Sequence, residues 1–175
     1  MVRVALTGSP GSGKTTLARI AQDDGWKVVD VRAWAEKEGC IVGHDDEDEA
    51  VVIDTEELAG LLPEDDGTPV LYESHLSHHL PLDGAWVIRC DPRVLRPRLE
   101  ARGYRPRKVL ENLEAEALDI ILQEALETIP HVIQRDGTRR SPDDLYKAFV
   151  DIRFDSLKAH DLEPADWSDQ LPFDR

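Results

Sequence analysis

The stretch GSPGSGKTT, residues 8–16, constrains the chain more than any other. It follows VRVALT, a run of apolar and β-branched residues that reads as a buried strand from Val2 to Thr7. Gly8, Gly13, Lys14 and Thr15 fit the pattern G-x-x-x-x-G-K-[ST], and Lys14 to Asp23 reads as the helix that must follow it. A strand, a glycine-rich turn and a helix in that order aim several backbone N–H groups and the positive end of a helix dipole at one point. That arrangement receives a phosphate chain. Lys14 is then placed to bridge the β and γ phosphates, and Thr15 to offer its hydroxyl to Mg²⁺, whose octahedral shell is otherwise water and phosphate oxygen.

Beyond Asp23 the pattern keeps alternating. Trp26 to Val31 reads as a strand, Arg32 to Glu38 as a short helix ended by Gly39, and Asp54 to Leu62 as an amphipathic helix stopped by Pro63. TPVLYE and GAWVIRC read as buried strands, and HVIQR as the last one. Asp91 and Pro92 open a helix, and Pro106 to Thr128 carries Leu110, Leu113, Ala117, Ile121 and Ala125 at helical spacing. Ser141, Pro142 and Asp144 begin a helix expected to run to about Ala159. GHDDEDEA reads as an acidic loop, and the tail after residue 160 has no clear period. Strands alternating with helices imply a parallel sheet covered on both faces.

Composition excludes several classes. A chain of 175 residues, 41% of them hydrophobic, is the size of one domain with a core of its own. It has no run of eighteen apolar residues, and it passes directly into a strand, so the expectation is a cytoplasmic protein without a membrane span. Cys40 and Cys90, far apart in the chain, are expected to be free thiols. The net charge of -15 is unevenly placed: residues 36–66 hold thirteen Asp or Glu against one lysine, whereas residues 89–108 hold eight Arg or Lys against two acids. The acid run suits a salt-adapted surface or a docking loop for a basic partner, and the basic segment suits an anionic ligand.

Three groups of side chains carry candidate chemistry. Glu73, at the carboxyl end of VLYE, stands where a carboxylate can hold a metal or the metal's water beside the glycine-rich loop. His75 is two residues on and so on the same side if the strand continues, placed to orient a water or a phosphate. With His78 and His79 these residues offer donors that suit zinc, but their spacing matches no zinc pattern. Among the arginines, Arg98, Arg102, Arg105 and Arg107 can stabilise a moving phosphate, while Arg93 and Arg96 read as solvated. Arg102 stands apart because RGYRP breaks the helix beside it, leaving a short loop that can close over a nucleotide.

TGSPGSGKTT, VVDVRAWAEKEG, VLYESHLSHHLP, RLEARGY, ENLEAEALDIILQEALE and the tail DWSD, in this order, resemble the small adenylate-kinase-like proteins called adenylate kinase isoenzyme six or Fap-seven type. The resemblance covers nearly the whole chain. It implies a three-layer α/β/α P-loop fold with a five-stranded parallel sheet, one domain over residues 1–160, a monophosphate-binding region at about 30–53, a lid at about 101–111 and a tail at 161–175. It implies a broad-specificity nucleoside monophosphate kinase that uses ATP with Mg²⁺, has ATPase activity, and takes part in small-subunit (16S rRNA) maturation with a basic ribosomal protein. Gly11, Ser12, Gly13, Lys14, Thr15, Thr16, Arg102 and Arg140 would bind ATP, and Thr15 and Glu73 the metal. Asp30 and Arg32 would bind the monophosphate, and Lys14, Glu73, His75 and Arg102 would act in catalysis. Glu36 departs from the eukaryotic pattern, which has an arginine there, with Arg32 one turn earlier as the substitute. Two other readings remain, an ATP-driven assembly factor and a small-metabolite kinase. A guanine-reading Asn-Lys-x-Asp motif is absent from the sequence.

Overall fold

Strand β1 (Arg3–Thr7) shows how the core is divided, because Ala5 packs into one apolar layer while Val4 and Leu6 pack into another. Side chains alternate along a strand, so a strand covered on both faces must be apolar throughout. The same alternation recurs in β5 (Val70–Glu73), β6 (Gly84–Arg89) and β7 (Val132–Asp136). These results come from a computed structural model, which describes residues 2–45, 50–64, 66–151, 160–171 and 173.

The sheet has six parallel strands in the order β2-β5-β1-β6-β7-β8, where β2 is Lys27–Asp30 and β8 is Asp161–Leu162. On one face lie α1 (Lys14–Asp23) and α7 (Pro142–Val150), closed by Trp86, which stacks on Phe149 at 5.2 Å and meets Trp26 at 5.2 Å. On the other lie α2 (Val31–Glu38), α3 (Thr55–Gly60) and α6 (Ile120–Thr128). A third, smaller cluster joins α4 (Pro92–Ala101) to α5 (Pro106–Ala117) through Leu95, Leu99, Val109 and Leu113. The strand order reverses between β5 and β1, and ligands of such sheets bind at the carboxyl ends there.

Four expectations need correction or completion. The sheet has a sixth strand, β8, supplied by the tail; two residues are too few to show a period. The acidic segment is not simply a loop: β3 (Ile41–Asp45) and β4 (Ala50–Ile53) form an antiparallel hairpin on either side of it. Its β-branched flanks were the available sign. Pro106 to Thr128 is two helices, parted at Asp119, which adopts a left-handed φ of 60° and gives its carboxylate to the buried Arg89. Helical spacing runs through the break because residues on both helices face the core. Helix α7 is described to Val150, and both its expected continuation to Ala159 and the acid residues 46–49 lie outside the described residues. Cys40 and Cys90 are buried free thiols, and no helix among the described residues is long and apolar enough to cross a membrane.

Candidate functional site

The loop between β1 and α1 owes its path to three glycines with positive φ: Gly8 at 137°, Gly11 at 84° and Gly13 at 110°. Gly8 is the tightest, since a Cβ there would stand 2.3 Å from the backbone oxygen of Ile88. Neither the backbone of β6 nor the disfavoured φ can yield to a methyl group. Gly8→Ala is therefore expected to cost about 3 kcal/mol and lower Tm by roughly 10 °C, as read from a thermal melt.

Above this loop opens a cavity of about 850 Å³. Gly11, Ser12, Gly13, Lys14, Thr15 and Thr16 line it, together with Asp30, Arg32, Arg102 and Arg140. Glu73 and His75 line it from the end of β5 and the turn after it. Every residue that the sequence reading gave to nucleotide, substrate or metal thus faces one space. Arg98 and Arg105 line it too, whereas Arg107 pairs on the surface with Glu111 at 2.8 Å.

Lys14 is folded onto the loop, its Nζ donating to Gly8 O at 2.7 Å and Ser9 O at 3.0 Å. Burial lowers its pKa to about 8, with Glu73 and Glu116 acting against that shift and Arg102 adding to it. Burial raises the pKa of Glu73, while Lys14 and a hydrogen bond with the Thr15 side chain favour its ionised form. A hydroxyl and a carboxylate side by side are hard oxygen donors, the kind that Mg²⁺ prefers. The donor set fits that ion.

Other side chains are committed to partners. Asp30 caps α2 by accepting from Ala33 N at 3.0 Å, and Arg32 pairs with Glu36 at 3.2 Å. Arg140 forms a fork with Glu163, one arm at 2.5 Å and the other at 3.0 Å. Arg98 donates to Gly11 O at 3.1 Å, tying α4 to the glycine-rich loop. Of the histidine group, His78, His79 and Glu124 bring ligand atoms within 4.8 Å of one another, but Glu73 and His75 are not among them. His78 is held between Thr7 Oγ1 at 3.0 Å and Glu124 Oε2 at 3.1 Å, and burial, helped by His79, lowers its pKa to about 4. Both nitrogens of this ring thus have protein partners. Sequence reasoning missed Ser74, Tyr104, Lys108 and Asn112 on the cavity wall, and Ser9 and Glu116 beneath it. Lys108 and Asn112 lie one turn apart on α5, so the helical period after Pro106 could have found them.

Comparison with known proteins bears on this geometry. The family described as "AAA domain" matches residues 4–119, from β1 through the cavity-lining part of α5 to the helix break. The chain belongs to the AAA domain family. Two archaeal relatives of this AAA domain protein carry the name "Putative adenylate kinase". The one from Archaeoglobus fulgidus is 43% identical over 171 residues, covering 96% of this chain and 93% of the relative. The one from Thermococcus onnurineus is 36% identical over 169 residues, covering 95% of this chain and 92% of the relative. Among solved structures, TT1252 from Thermus thermophilus shares the fold, with a TM-score of 0.50 at 18% identity over 86% of this chain and 95% of that one. Together they support an α/β P-loop fold for this AAA domain protein, which aligns with both archaeal relatives over more than nine-tenths of each chain.

Proposed function

We propose that the chain is a nucleoside monophosphate kinase of the adenylate kinase isoenzyme six or Fap-seven type, transferring the γ-phosphate of ATP to AMP or another monophosphate. The observation that carries this reading is the single cavity that joins the glycine-rich loop, Glu73, Arg102 and the Asp30–Arg32 region. An acceptor on the Asp30 side would present a phosphate oxygen to the γ-phosphorus; that P–O bond forms as the β–γ bridge breaks and ADP leaves. The protein's part is positioning and neutralisation of charge. Lys14 and the loop amides hold the phosphates of ATP, and Arg102 meets the charge that spreads over the transferred group. Thr15 and Glu73 would hold Mg²⁺, which supplies Lewis-acid stabilisation of phosphate oxygens. His75, exposed beside Glu73, orients the acceptor or a water, and water in the acceptor's place gives an ATPase.

A second reading is an ATP-hydrolysing factor for maturation of the small ribosomal subunit, with a basic ribosomal protein as partner. The Arg32–Glu36 pair favours it, because a guanidinium already engaged attracts a free monophosphate less strongly. ATP turnover measured alone and then with AMP, CMP, GMP or UMP separates the two. Stimulation of tenfold or more by one of them supports the kinase; unchanged turnover supports the ATPase. In either case EDTA is expected to abolish turnover and Mg²⁺ to restore it. Restoration by Zn²⁺ alone would instead implicate His78, His79 and Glu124.

A further inference from the structure

Beneath the glycine-rich loop lies a buried polar network that the proposed transfer does not use. Ser9, 1% exposed, donates its hydroxyl to Glu116 Oε2, and the same carboxylate accepts from Arg89 Nε at 2.8 Å and from Cys90 N at 2.9 Å. Arg89 donates as well to the backbone oxygen of Glu116 at 2.8 Å and to Asp119, and it lies 5.0 Å from the ring of Trp167. Both Glu116 and Arg89 are almost wholly buried, at 3% and 2% exposed. An ion pair taken this far out of water contributes little to stability compared with apolar side chains of the same volume. Its contribution here is geometric. Ser9 is held through its side chain by Glu116 and through its carbonyl by Lys14, so one residue links a buried carboxylate to the catalytic amine.

We propose that Glu116 is a positioning residue that fixes Ser9, and through Ser9 the nucleotide-ready shape of the glycine-rich loop, to the helix carrying the lid side of the cavity. Helix α5 bears Lys108 and Asn112 on the cavity wall and Glu116 under the loop, about 12 Å apart along its axis from Lys108 to Glu116. A rigid helix joins the two. Helix α5 thereby ties the Lys108–Asn112 wall of the cavity to the loop beneath it, and Cys90 N and Arg89 anchor the carboxylate that makes the tie.

The inference rests on the reading of the cavity as a nucleotide site. Affinity for a fluorescent ATP analogue is to be measured for the wild type, Ser9→Ala, Glu116→Gln and the double variant, together with Tm and the KM for the monophosphate. Ser9→Ala is expected to weaken ATP binding roughly tenfold, as for loss of a hydrogen bond to a charged group, with Tm lowered by no more than about 5 °C and monophosphate KM within about twofold. The double variant should bind ATP no more weakly than Ser9→Ala, since Glu116 acts on the loop through the Ser9 hydroxyl that this change has already removed. Unchanged ATP affinity in Ser9→Ala overturns the proposal, as does an equal loss for both nucleotides, which marks a merely structural bond. Additive losses in the double variant overturn it too. If Glu116→Gln fails to fold because Arg89 is left uncompensated, Ser9→Ala decides the question alone. A wild-type protein that does not bind the ATP analogue overturns the nucleotide reading itself and this inference with it.

Discussion

Lys14→Ala is expected to give a folded protein whose ATP turnover falls at least about a thousandfold. On the proposed reading the amine would neutralise charge on the transferring phosphate, and its present acceptors, Gly8 O and Ser9 O, hold it folded onto the loop. Alanine retains helical propensity at the first position of α1, so Tm should report an intact fold while turnover reports the loss. Turnover near the wild-type level would remove the loop from the chemistry. The wild-type amine carries a pH signature of its own. Burial, outweighing the attraction of Glu73 and Glu116, leaves the amine with a pKa of about 8 in the nucleotide-free protein. The protonated form is the one that binds phosphate, so kcat/KM of the wild type, which reports the free enzyme, should decline as pH rises through about 8. Bound phosphates favour the ammonium, and the corresponding limb in kcat should lie at higher pH.

Arg102→Lys should separate binding from turnover. Arg102 ends α4, faces the cavity, and lies close enough for its charge to act on both Lys14 and Glu73. A guanidinium offers a planar fork to two phosphate oxygens, and lysine keeps the charge but loses the fork. If that fork serves the transition state, kcat should drop by about a hundredfold or more while ATP affinity changes less than about threefold. Equal loss in both measurements would mean that Arg102 binds ground-state ATP. An unchanged rate would return it to the surface of α4.

How much of this was legible beforehand depended on the range of the forces involved. The phosphate loop was readable because its geometry is local: the glycines, the lysine and the hydroxyl all fall within nine residues, and the strand and helix around them leave one path for the backbone. Glu73 and Arg102 were within reach for the same reason, each marked by a strand end or a helix end in its own neighbourhood. Glu116 was not. On α5 it is one more acid among Glu111 and Glu114, and what distinguishes it is contact with Ser9, separated from it by 107 residues. The break at Asp119 was hidden similarly, because a left-handed residue accepting from Arg89 requires a partner on another strand. The β3–β4 hairpin was obscured by the acid run that it flanks, and β8 by its length.

The brevity of β8 governs what can associate with this sheet. A sheet edge offers unsatisfied N–H and C=O groups to any extended chain, including another copy of the same protein. Here one edge is closed by a strand of four residues, β2, and the other by the two residues Asp161 and Leu162, which cover Ile133 and Gln134. Beyond them, Gln134 Nε2 donates to Glu163 O at 2.5 Å and Arg135 holds the Asp161 carboxylate at 2.9 Å, so the covering segment is fastened by side chains as well as by its ladder. Two residues offer little ladder for a foreign strand to continue. The tail segment that looked featureless as a string of residues thus supplies a short edge strand, one of the ways in which a sheet limits pairing with another chain.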